Sequence, residues 1–132
     1  MAQSISRHIA ALAIGAALAT AGSALAQPSV INVQLSEYKI EPMQLSLEHG
    51  RAYVLHLTNT GSKPHNFSAW GFFRTVSFAP GSASKVENGR VDLDVGQSAD
   101  IALIPQRPGF YQVHCTRLFH SMLGMRGQIV VR

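Results

Sequence analysis

The sequence predicts an all-β domain, a sandwich or barrel of short strands, and three observations carry that prediction. After residue 26, apolar and polar residues alternate with a period of two in segment after segment. The 11 glycines and 6 prolines fall largely at turns between those segments. The 132 − 26 = 106 residues that follow are enough for one core without staples, and too few for a multidomain enzyme.

Residues 1–26 read as a secretory signal. Arg7 supplies the positive start, an apolar run extends from Ile9 to Ala21, and Ala24-Leu25-Ala26 offers a small-x-small cleavage site. The run falls short of the roughly 20 residues that span a bilayer. Cleavage after Ala26 leaves a domain over residues 27–132, exported and expected in the periplasm, with no membrane insertion.

In that domain, Ile31, Val33 and Leu35 alternate with Asn32, Gln34 and Ser36, and Met43, Leu45 and Leu47 alternate with Gln44, Ser46 and Glu48. His49-Gly50 makes a tight turn into Tyr53, Leu55 and Leu57. Val91, Leu93 and Val95 form another strand, ended by Gly96-Gln97. Ile101 and Leu103 follow, then a turn from Pro105 to Gly109. Tyr111, Val113 and Cys115 share one strand face, with Gln112 and His114 on the other, and Ile129 and Val131 close the chain. Around residues 69–83 the alternation fails. Trp70, Phe72, Phe73, Val76 and Phe78 read there as a short helix or a hydrophobic loop.

The chemistry concentrates near the end. Cys115 ends a strand on its buried face, and His120 and Met125 lie on the connection to the last strand, spaced C-x4-H-x4-M. One connection thus offers a thiolate, an imidazole and a thioether to a single point. A further strong ligand is supplied by Lys63-Pro64-His65-Asn66, where Pro64 stiffens the backbone before His65 just after a predicted strand. Two imidazoles and a thiolate, with a weak axial thioether, suit a copper ion that cycles between Cu(I) and Cu(II). Met122 is the rival axial donor; Met125 is preferred because Gly124 and Gly127 flank it and permit close backbone turns. His114 points to the opposite face from Cys115. His49 and His56 read as solvated residues, one in a turn and one on an exposed strand face. Asn66-Phe67-Ser68 is a formal glycosylation triplet, read as a chance match because a glycan there would obstruct the site.

Composition excludes several classes. A single cysteine forms no internal disulfide and no zinc site of paired cysteines. The formal charge of +4 is scattered singly rather than clustered, so no nucleic-acid footprint exists; the mild excess better suits an acidic protein partner. An enzyme is not expected. Thr116 stands where a His-Cys-His junction of copper centres would need histidine, no His-x-His pair occurs, and a second cysteine for a binuclear centre is missing.

His65-Asn66 followed by Cys115-x4-His120-x4-Met125-x-Gly127-x-Ile129-Val130-Val131 resembles the cupredoxins, the plastocyanin- and azurin-like small type 1 copper proteins. The resemblance implies a Greek-key β-sandwich holding one copper through His65, Cys115, His120 and Met125, with Asn66 tying its strand to the ligand loop. It also implies electron transfer through the exposed edge of His120 to a redox partner such as a cytochrome or a copper oxidase, by a monomer. Two features depart from plastocyanin: a longer spacing from Cys to His, and an aromatic-rich segment from Trp70 to Phe78 beside His65. If that segment covered the docking face, the same site would serve copper sequestration or copper tolerance instead.

Overall fold

The computed structural model describes Gly22 and residues 25–132, so nearly all of the expected signal segment, residues 1–26, lies outside the described residues. Among the described residues no helix is long and apolar enough to cross a membrane.

Among the described residues, ten strands form two sheets that pack face to face. In the first, β1 (Ser29–Ser36) lies between β2 (Lys39–Glu41) and β4 (Tyr53–Asn59), followed by β8 (Ser98–Pro105) and β6 (Val76–Phe78). The second runs β3 (Gln44–Leu47), β10 (Arg126–Val131), β9 (Gly109–His114), β5 (His65–Ser68) and β7 (Arg90–Leu93). Period-two alternation decides what each strand buries: Val33 and Leu35 of β1, and Tyr53, Leu55 and Leu57 of β4, are inside. Ile101 and Leu103 of β8 lie beside them in the same sheet, and Leu45, Leu47, Leu93, Val113 and Ile129 meet them from the other. The all-β sandwich read from the sequence is the observed fold.

Both sheets are mixed, because β1 pairs parallel with β4 and β3 parallel with β10. The chain repeatedly crosses between sheets, so strands adjacent in sequence are often not partners. Alternation reveals which face a strand buries but not its neighbour.

Several elements differ in detail from their sequence expectation. Met43 is 71% exposed rather than inside with Leu45 and Leu47, since it sits in the crossing before β3. There its carbonyl accepts the Gln128 N–H at 2.8 Å. A Cβ on Gly127 would come within 2.7 Å of that same oxygen, so this close backbone approach requires glycine. Val95 lies beyond β7, in the turn closed by the Gln97 N–H on the Asp94 carbonyl, and is exposed. His65 does not follow a strand but begins one, β5, all four residues of which are buried.

The segment over residues 69–83 is a one-turn helix, α1 (Trp70–Phe73), followed by the edge strand β6. Its rings turn inward. Phe72 and Phe73 are buried, and their centroids lie 5.6 Å from Tyr111 and 6.1 Å from Phe67, respectively. Trp70 stays exposed, with the Arg74 guanidinium 4.1 Å from its ring centroid.

Phe67 sits fully buried beside the aromatic cluster. Phe67→Ala should cost about 3–5 kcal/mol of unfolding free energy, as large-to-small core changes do. Urea titration checks this, and a loss below about 1 kcal/mol would contradict the packing described.

Candidate metal centre

Two distant parts of the chain build the centre. β5 delivers His65 at its first residue, and β9 ends at His114, immediately before Cys115. The connection to β10 turns back on itself: the His120 N–H reaches the Arg117 carbonyl at 3.1 Å, the Met125 N–H the His120 carbonyl at 3.0 Å, and the Cys115 N–H the Met125 carbonyl at 3.2 Å. Phe119 takes φ 63°, an unusual value for a bulky residue, directly before His120. These bonds tie Cys115, His120 and Met125 to one another through the backbone.

The donor atoms converge. His65 Nδ1 lies 3.2 Å from His120 Nδ1, and Cys115 Sγ lies 3.5 Å from the same His120 nitrogen. One ligand atom from each of the three residues falls within 4.8 Å of the others. An ion with bonds of about 2.0 Å to nitrogen and 2.3 Å to sulfur in tetrahedral arrangement would separate its ligands by roughly 3.3 Å N to N and 3.5 Å N to S. The observed separations agree within about a tenth of an ångström, so the residues fit a small transition-metal ion. His65, Cys115 and Met125 are fully buried, and His120 is partly exposed. Soft sulfur and imidazole in this combination form the donor set of a type 1 copper site.

Hydrogen bonds around the donors fix their orientation. The Asn66 N–H points at Cys115 Sγ at 3.4 Å, a donor suited to a thiolate. The Asn66 side chain donates to Thr116 Oγ1 at 2.8 Å and accepts the Thr116 N–H at 2.9 Å, so it does join β5 to the ligand loop. It also donates to Asp92 at 3.2 Å. Being buried and committed in this way, Asn66 is no glycosylation acceptor in the folded domain.

The turn from β1 to β2, unremarked in the sequence, touches both imidazoles. Glu37 Oε1 lies 3.3 Å from His65 Nε2, and the Tyr38 ring meets the His120 ring edge-on at 5.3 Å. Tyr38 has φ 63°, which breaks strand alternation there. No local motif announces these contacts, because they exist only once β1 and β5 are assembled. Asp92 was equally invisible, reaching Asn66 from the neighbouring strand β7.

Electrostatics keep the outer imidazole available. Burial, followed by Coulombic interaction with His65, Lys63 and Arg117, holds His120 below the ordinary histidine value, against a weaker opposing pull from Glu37. At neutral pH its lone pair is therefore free.

The remaining candidates stay apart. Met122 is 76% exposed where Met125 is fully buried. His114 faces solvent, His49 Nδ1 lies 3.1 Å from the Arg132 carbonyl, and His56 pairs with Asp100 at 2.6 Å on an outer strand face.

The sequence matches the family described as Cupredoxin-like domain over residues 8–131. The chain belongs to the cupredoxin family. Solved structures agree on the fold. Reduced auracyanin from the photosynthetic bacterium Roseiflexus castenholzii is 19% identical, with a TM-score of 0.60 over 81% of this chain and 99% of its own. Auracyanin A of Chloroflexus aurantiacus, described as a "blue" copper protein, is 15% identical, with a TM-score of 0.58 over 80% of this chain and 100% of its own. A multicopper oxidase from Campylobacter jejuni, described as a metallo-oxidase, is 13% identical with a TM-score of 0.59, over 80% of this chain but only 30% of its own. No curated protein matches the chain in sequence.

Asp92 supplies a pH test of the brace. Burial pushes its carboxyl up, but hydrogen bonds from Arg90 and Asn66 and the charges of Arg90 and Arg117 together hold it below the usual value. A carboxylate depressed in the folded state gives stability above its unfolded value, lost as pH falls through the folded one. Asp92→Asn should therefore cost stability at pH 7, with the gap to the parent closing below about pH 4 in urea titrations of the metal-free protein. A gap that does not vary with pH would contradict this role.

Proposed function

We propose that this cupredoxin is an exported, monomeric electron carrier that holds one copper ion through His65, Cys115, His120 and Met125. The observation that carries the proposal is the convergence of three soft or borderline donors within 4.8 Å, beside a buried Met125. When bound, copper supplies a one-electron couple, Cu(I)/Cu(II). The chain's part is to hold a fixed donor cage between the preferences of the two oxidation states, so that little rearrangement accompanies transfer.

The surroundings of His120 support a carrier. Leu118 (78% exposed), Phe119 (60%), Met122 (76%) and Leu123 (56%) form an apolar surface on its own loop. Lys63 and Arg117 lie close enough to bear on the His120 imidazole. An apolar patch with cationic neighbours suits brief docking of an acidic redox protein, such as a cytochrome or a copper oxidase, with His120 as the point of exit. No enzymatic role is proposed, since function resides in the site and the donors gathered here suit holding an ion.

Copper tolerance by sequestration is the second reading. The aromatic segment that would favour it buries Phe72 and Phe73 in the core. Export to the periplasm rests on the sequence of residues 1–26.

Cu(II) added to the protein lacking residues 1–26 should give an intense visible thiolate-to-copper band, which Cys115→Ser abolishes. A band that survives Cys115→Ser would overturn the ligand assignment. Met125→Leu should keep the colour and raise the reduction potential, whereas Met122→Leu should change neither; the reverse pattern would make Met122 the axial donor. Copper affinity should fall in acid as protons compete for the imidazoles and the thiolate. Fast electron self-exchange and reduction by a cytochrome mark the carrier, while copper sensitivity on loss of the protein, with slow exchange, would mark sequestration instead.

A further inference from the structure

We propose that Glu37 is a positioning residue for the inner imidazole: its carboxylate locks the His65 ring in place and lends negative charge to that ligand, favouring the higher oxidation state of the metal. The inference rests on the copper reading above. The carboxylate is itself held. Glu37 Oε1 accepts the Ser62 N–H at 2.7 Å, the Lys63 N–H at 3.0 Å and the Ser62 hydroxyl at 3.3 Å, and lies 3.3 Å from His65 Nε2. His65 is fully buried, so no water competes for that nitrogen. With Nε2–H donating to Glu37, the neutral ring presents a Nδ1 lone pair to the point where Cys115 and His120 converge.

The loop leading into β5 is shaped around this contact. A Cβ on Gly61 would fall 2.6 and 2.9 Å from the two Glu37 carboxylate oxygens and 2.9 Å from His65 Nε2. The Gly61 backbone is not left-handed, so glycine is needed there for space rather than for conformation. The Gly61 N–H reaches Asn59 Oδ1 at 2.9 Å, and Asn59 in turn donates to the Lys63 and Leu93 carbonyls, which fixes the loop against β7. Glu37, Gly61 and His65 thus form one close-packed unit drawn from the β1–β2 turn, the loop and β5.

A carboxylate hydrogen-bonded to a ligating imidazole raises its basicity, and losing such a partner typically costs roughly 10–100-fold in metal affinity. An anionic partner stabilises Cu(II) more than Cu(I), because the doubly charged ion gains more from it. Glu37→Gln keeps the shape and an acceptor oxygen while removing the charge. In the purified, copper-loaded protein it should retain the visible band, weaken Cu(II) binding about 10-fold or more, and leave Cu(I) binding less changed. A tenfold shift of that balance is a rise in reduction potential of about 59 mV. A merely structural glutamate would not produce it. Glu37→Asp, which keeps the charge but draws it back from His65, should shift the potential in the same direction by less, and it decides the matter if Glu37→Gln does not fold. Potential and Cu(II) affinity both unchanged in the folded variants would overturn the role of Glu37. A parent protein that shows no thiolate-to-copper band would overturn the copper reading itself.

Discussion

The centre depends on β5 lying beside β9. His65 comes from the first of these strands and the sulfur and second imidazole from the end of the other, 50 residues later in the case of Cys115. Their ladder is short, a single register pair of Ser68 with His114. Asn66 extends it past the end of β9 through its two bonds to Thr116 and its backbone N–H toward Cys115 Sγ. Those bonds bring donors from two segments with no local relation in the sequence to one point.

A site assembled this way is rigid on its inner side and open on its outer side. His65, Cys115 and Met125 are locked in the same core that holds Phe67 and Ile129, and close packing there resists displacement. His120 sits on a loop whose other side chains are largely exposed, and its ring is steadied by Tyr38 from across the site. Such a division suits a couple that must change charge without moving its donors, yet pass an electron to a partner at the surface.

Much of this was legible in the sequence, and the limits are physical. Strand faces followed from alternation because side-chain direction is local, which is why Val33, Leu35, Leu55, Leu57 and Val113 were placed correctly. Cys115, His120 and Met125 were legible as a group because one connection carries them all, and His65-Asn66 because its pairing with that connection is a family signature. Partners across sheets were not legible. The parallel pairing of β1 with β4 brings no residue-level signal, and Glu37 looks like any acidic turn residue until β1 and β5 are assembled. Met43 and Val95 failed for a simpler reason: each continues an alternating pattern beyond the end of its strand, Met43 by one residue and Val95 by two.

The central claim is that one sulfur and two nitrogens, already gathered by the fold, share a single copper ion with little change on reduction. X-ray absorption at the copper edge of the loaded protein tests it most directly. A first coordination shell of one short sulfur and two nitrogens, nearly the same in the oxidised and reduced forms, is the predicted result. A shell of only nitrogen and oxygen, or one that loses a ligand on reduction, would contradict it.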